Sequence, residues 1–295
     1  MNTAGFNALV GIGTALLLPW LSLFGGAVEV PEVPAVKAPH KPDAGGDLSP
    51  EEQAKQEDKH NAVDSAKTWR KAGDVSLGWT VFLGGAAAGA AMPAPEAGLV
   101  FGVSAAVTAW SAAAFHALAN RYKDIAADPP RADFHLVSRF SPRQLAPDPA
   151  ATNAEAALQH VTKLACDLGD ALQALLDSYE RHDGVKLATA QPAPAPQALE
   201  EWKRCEILQV EAIAANAAAC ADLTRDLVAI APTVNDALQQ VKAALPSDLL
   251  PVPELPALLF DDEWRQQTET TSLHHRKVAD TYGALKQSLL TRDLH

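Results

Sequence analysis

A chain of 295 residues, 48% of them hydrophobic, is long enough for one or two domains with buried cores. Its net charge of −12 argues against general attraction to nucleic acid or to an anionic lipid surface. Three cysteines, Cys166, Cys205 and Cys220, do not make a disulfide framework; on one helix the last two would stand about 22 Å apart, so all three read as reduced thiols suited to a reducing compartment.

Residues 8–28, ALVGIGTALLLPWLSLFGGAV, form an uncharged block of nearly bilayer-spanning length. Met1 to Asn7 holds no Lys or Arg, so the segment 1–28 reads as an anchor or an arm rather than a cleaved signal, with Pro19 kinking any helix there. Residues 29–48 are a Pro-rich linker. SPEE at 49–52 then starts a helix: Ser49 can cap it, Pro50 suits its first position, and Glu51 and Glu52 sit at the positive end of its dipole. That helix is expected to run to about Lys71, polar nearly all round, with Val63, Ala66 and Trp69 as a thin apolar strip and a break or bend at Gly73.

From Val75 to Ala119 the sole formal charge is Glu96. The block divides at PAPEAG (93–98) into Val75–Met92 and Leu99–Ala119, each close to the length of a transmembrane helix. The short Pro/Gly connection predicts an antiparallel hairpin with its tip at Pro93, Pro95 and Glu96. Trp69, Arg70 and Lys71 precede the first helix, and Arg121, Tyr122 and Lys123 follow the second. Both ends therefore carry the aromatic and basic anchors of a cytoplasmic membrane interface. Gly85 and Gly89 make a small-xxx-small pair that would let the partner helix approach closely. Ala and Gly dominate the first helix, so alone it is a marginal inserter. The hairpin either inserts as a unit or stays folded in a bundle until it does.

After a locally basic connector at 129–149, residues 150–295 carry 21 acidic and 12 basic side chains. Leu158, Val161, Ala165, Leu168, Leu172, Leu175 and Tyr179 follow 3- and 4-residue steps, one stripe of an amphipathic helix. A second long helix is expected over about 199–230, with Trp202, Leu208, Ile213, Ala217, Cys220 and Leu227 as candidate core. Pro232 should interrupt it, leaving Val234, Leu238, Val241 and Leu245 on a short continuation. DDEW at 261–264 begins a last helix. The expected fold is all-α: a helix-plus-hairpin unit at 49–128 whose apolar hairpin (75–119) is of membrane type, then a C-terminal acidic bundle of three to four helices.

No constellation in the chain amounts to an active site. Phosphate-binding glycine loops, HExxH, CxxC and GxSxG are all absent. His274 and His275 would point about 100° apart on a helix and read as exposed; His60 and Asp64 read as a solvated face, His116 as interfacial. Asp261, Asp262 and Glu263 favour a helix N-terminus. No catalytic residue, metal, cofactor or nucleic-acid partner is expected. The layout of long helices around a Gly/Ala-rich apolar hairpin resembles that of soluble α-helical pore-forming toxins, over 75–119 alone and without a diagnostic motif. Two functions fit. The first is a non-enzymatic membrane protein whose hairpin anchors the acidic bundle on the cytoplasmic face, as a scaffold, adaptor or assembly component. The second is an effector, soluble until it inserts, that oligomerises and permeabilises a membrane. Expected partners are a lipid bilayer together with another protein or further copies of the chain.

Overall fold

The computed structural model describes residues 48–90, 95–127, 153–189, 196–243 and 258–291. They form α1 (Pro50–Ala90), α2 (Pro95–Ala126), α3 (Asn153–Thr189), α4 (Pro196–Ala243) and α5 (Asp262–Thr291), with no strand among the described residues. The fold is all-α, as expected. The segment 1–28, nearly all of the Pro-rich linker, Pro93 and the connector 129–149 lie outside the described residues.

Two helix starts follow directly from local chemistry. At α1 the Glu52 N–H donates to Ser49 Oγ and the Ser49 N–H to Glu52 Oε2, each at 3.4 Å, a reciprocal capping box. At α5 the Trp264 N–H donates to Asp261 Oδ1 at 2.8 Å, so the acidic run at 261–263 does serve a helix N-terminus.

Gly73 does not break the first helix, which continues for 41 residues. The reason is a 3-and-4 spacing through both its polar and its apolar halves. Lys55, Asp58, Ala62, Ser65, Trp69, Ala72, Ser76, Trp79, Leu83, Ala86 and Ala90 are all buried, one face of a heptad pattern. Gly73 lies beside that face, where a Cβ would stand 2.8 Å from the His116 imidazole on α2. Its role is close approach rather than flexibility. Pro232 likewise fails to interrupt α4. Ala231, Val234 and Leu238 continue the buried spacing from Leu227. A helix-interior proline costs about 3 kcal/mol, whereas each buried Val or Leu contributes about 1.5–3 kcal/mol.

Each helix packs on the next, and α5 returns to α1, closing a ring. Directions follow from the contacts. Ser76 and Thr80 meet Thr108, and Trp69 meets Phe115, so α1 and α2 are antiparallel. Lys55 near the start of α1 reaches Asp183 near the end of α3 at 2.6 Å. Therefore α3 also opposes α1, and it runs parallel to α2. Asn216 with Ser178 and His182 with Glu206 set α4 antiparallel to α3; Arg276 with Asp222 and Lys286 with Glu211 set α5 antiparallel to α4. One continuous apolar core runs from Ala54 to Tyr282. The helices before and after the connector share it.

Candidate functional site

The α1–α2 hairpin is uncharged from Val75 to Ala119 apart from Glu96, and that holds for its outward face as well as its buried one. Val81 is 69% exposed on α1, with Leu77 one turn before it; Trp110 is 43% exposed on α2, with Val103 two turns before it. Ala106, Ala113 and Ala117 are exposed on the same side of α2. Surface helices of soluble proteins normally place charge on that face. Among the described residues a single segment, Phe101–Ala126, is long and apolar enough to cross a bilayer, and 56% of its apolar window is buried. Where two such helices are expected, one passes on length and composition alone, as a buried core helix also would. In α1 the Ala/Gly content contributes too little transfer energy.

Inside the hairpin the seam is hydroxylated. Ser76 Oγ donates to the Thr108 carbonyl at 2.8 Å, Thr80 Oγ1 to Thr108 Oγ1 at 3.1 Å, and Ser111 lies 2.6 Å from Thr162 of α3. Gly85 is not part of this contact, since a Cβ built there meets nothing within 4 Å. Gly89 is half-buried near the end of α1, and Pro95 and Glu96 form the first turn of α2. The open site at Gly85 makes Gly85→Ala an expected gain of about 0.5–1 kcal/mol from helix propensity alone, read as a raised urea midpoint at unchanged slope.

The six flanking residues separate into two groups. Trp69 is 1% exposed, with Phe115 and Trp264 at ring-centroid distances of 5.5 and 5.3 Å. Tyr122 is fully buried, its hydroxyl 3.4 Å from His275 Nε2. Both aromatics fall on the 3-and-4 spacing of their helices and so point inward. In this fold they are core residues, not surface anchors. Lys71 is exposed and bridges Asp261 at 2.9 Å and Glu263 at 2.6 Å, whose carboxylates hold its ammonium above the ordinary range. Arg121 is exposed and 3.6 Å from Asp124, while Arg70 and Lys123 are half-buried at the same end of the hairpin.

Below the hairpin a polar layer crosses the core with one or two residues from every helix. Asp58 of α1 and His275 of α5, each about 1% exposed, bring Oδ1 and Nδ1 to 3.0 Å without the alignment of a hydrogen bond. Tyr179 of α3 donates to Asp58 Oδ2 at 3.4 Å, Tyr122 of α2 meets the far side of the His275 ring, and buried Thr224 of α4 donates to the Cys220 carbonyl at 2.6 Å. Burial, then the nearby Asp58 carboxylate, pushes the Tyr179 phenol and the Cys220 thiol well above their ordinary values. His275 is therefore not the exposed histidine that its neighbour His274 suggested. Its signal was the step of four from Thr271 and of three to Val278, both buried. Nearer the far end His182 and Glu206 form a second buried pair at 2.8 Å. These groups are enclosed, so the layer can order the five helices against one another, the best-attested use of buried polar residues in helical assemblies. No group of three or more His, Cys, Asp or Glu that could hold a metal occurs among the described residues.

Two carboxylates on the α1–α5 seam respond to acid. Burial pushes Asp261 up, but the Trp264 N–H and Lys71 outweigh it and hold the carboxyl below its ordinary 3.8. A hydrogen bond from Lys277 holds Glu57 below 4.5. A carboxylate depressed on folding adds stability that is complete above the ordinary value and is lost as pH falls through the folded one. Acidification through 4.5 and 3.8 and below should therefore weaken the seam. The double variant Glu57→Gln, Asp261→Asn should flatten that part of the urea-midpoint profile. No family model, curated protein or solved structure matches this chain.

Proposed function

We propose that this protein is a non-enzymatic membrane-active helical bundle, held closed in solution, that engages a lipid bilayer through its α1–α2 hairpin once the bundle opens. The observation that carries the reading is the absence of charge on both faces of residues 75–119 apart from Glu96. The buried face explains a soluble core; the outward face, with Leu77, Val81, Val103 and Trp110, needs a different explanation, and hydrocarbon supplies one. Trp69 and Tyr122 lie in the core, so interfacial placement of these aromatics requires the bundle to loosen first. In the inserted state Gly85 and Gly89 would bring hairpin helices of one or several copies together.

Vesicles of zwitterionic phosphatidylcholine loaded with a self-quenching dye test the reading. The wild type is expected to release dye. Val81→Glu with Trp110→Asp places charge only on the exposed face, so folding should be kept while each charge weakens insertion by about a hundredfold, from roughly 2.5–3.5 kcal/mol per charged group. Dye that stays trapped with the wild type at every pH and temperature tried would overturn the reading. A second reading, a resident anchor presenting the acidic helices 150–295 to a protein partner on the cytoplasmic face, is favoured by the basic residues gathered at one end of the hairpin, Arg70, Lys71, Arg121 and Lys123. It predicts that the full chain stays in the membrane pellet after a carbonate wash, and release into the supernatant would refute it.

A further inference from the structure

We propose that α5 is a releasable strap, the first helix to leave the bundle, and that its departure uncovers the base of the hairpin. The inference rests on the membrane reading for its purpose but not for its physics. Helices are held by what they bury, and between Trp264 and Val278 the core-facing positions of α5 bury only polar side chains. Its core-facing steps run Trp264, Thr268, Thr271, His275, Val278 and Tyr282, so three consecutive positions are polar. Among its fully buried side chains the only aliphatic of any size is Val278. On α3 the same steps carry Leu158, Val161, Leu168, Leu172 and Leu175.

Contacts with α1 have the same character. Asn61 Nδ2 donates to Thr271 Oγ1 at 3.1 Å, Ser65 and Thr271 hydroxyls stand 2.7 Å apart, and Gln267 Nε2 donates to Asn61 Oδ1 at 2.9 Å. Lys277 pairs with Glu57 at one end, and Lys71 with Asp261 and Glu263 at the other. Towards α4, Ser272 donates to the Ala221 carbonyl and Arg276 pairs with Asp222. Hydrogen bonds and exposed ion pairs exchange for water at small net cost, whereas buried aliphatic surface has no such substitute. The polar seam therefore opens more readily than any apolar one in the ring.

Aromatic rings join the start of the strap to the base of the apolar block. Phe260 and Trp264, 4.3 Å apart by ring centroid, cover Phe115 and Trp69 at 5.7 and 5.3 Å. Phe115 belongs to the apolar block, and Asn235 of α4 holds the Phe260 backbone through both its amide groups. When α5 leaves, the Trp264 ring comes off Trp69 while Asn235 keeps Phe260 on α4, and the Asp58 layer meets water.

Two measurements on the full chain decide the matter. In native-state hydrogen exchange at neutral pH, amides of 266–280 should exchange roughly tenfold or more faster than those of 161–175; equal protection of the two helices would overturn the proposal. Second, Ser65→Cys with Thr271→Cys, in a Cys166→Ser, Cys205→Ser background, places two thiols where the hydroxyls now touch, close enough to bridge. The oxidised variant should lose dye release from the same vesicles, and reduction should restore it. Release by the oxidised form at the reduced level would sink the strap. If the reduced form and the wild type both release nothing, the membrane reading fails while hydrogen exchange still decides on α5.

Discussion

His275→Ala is expected to destabilise the protein by about 3–5 kcal/mol, the usual result of removing one partner from a buried charge-capable pair. The imidazole is enclosed, with Asp58 Oδ1 at 3.0 Å on one side and the Tyr122 hydroxyl at 3.4 Å on the other. Alanine removes both contacts and leaves a carboxyl in the core with only Tyr179 to donate to it. Exposed His60 on the same bundle makes no such demand, and His60→Ala should change little. Urea unfolding of His275→Leu, Asp58→Leu and the double variant closes a cycle. The double variant should be less damaged than the two single losses added together, by about 0.5–3 kcal/mol. Strict additivity would mean that the 3.0 Å approach is proximity without coupling.

Trp69→Ala should cost a similar amount, about 3–5 kcal/mol, for a different reason. Trp69 fills the junction where α1, α2 and the start of α5 meet, with Phe115 on one flank and Trp264 on the other. No neighbouring side chain is long enough to refill an indole-sized hole among packed rings, so the cavity term adds to the lost transfer energy. A conservative Trp69→Phe change should lose much less. Calorimetric unfolding of the three proteins checks this ordering, and equal transition temperatures for wild type and Trp69→Ala would contradict the packing described.

What could be read from the residues alone divides along a physical line. Where burial and hydrophobicity coincide, the pattern was plain: the α3 stripe from Leu158 to Tyr179 is buried throughout. Capping chemistry at Ser49 and Asp261 was equally plain, because it is local. The first helix does not read as a core helix because its inward positions include Lys55, Asp58, Ser65 and Ser76, residue types usual at a surface. On α4 hydrophobicity misled in the opposite sense. Leu208 is exposed while Glu206 and Gln209 are buried, since the 3-and-4 steps back from Ile213 fall on 210 and 206. Gly85 reads as a packing glycine and is open, whereas Gly73, which reads as a break, is the one pressed against His116. A close approach depends on the partner helix's register, which one strand of sequence does not carry.

The parallel run of α2 and α3 sets the length of the molecule's leash. Neighbouring antiparallel helices can be joined by a few residues, but two parallel ones need a return path, here residues 128–152. Fully extended, that stretch reaches about 80 Å, while a helix of the size of α2 is about 48 Å long. The end of α2 and the start of α3 already stand about one helix length apart, so the hairpin can part from α3 by about 30 Å more before that connection is taut. The same slack allows the hairpin of one molecule to dock into the vacated groove of another, so a population opened at high concentration should be able to exchange hairpins and form interlocked dimers.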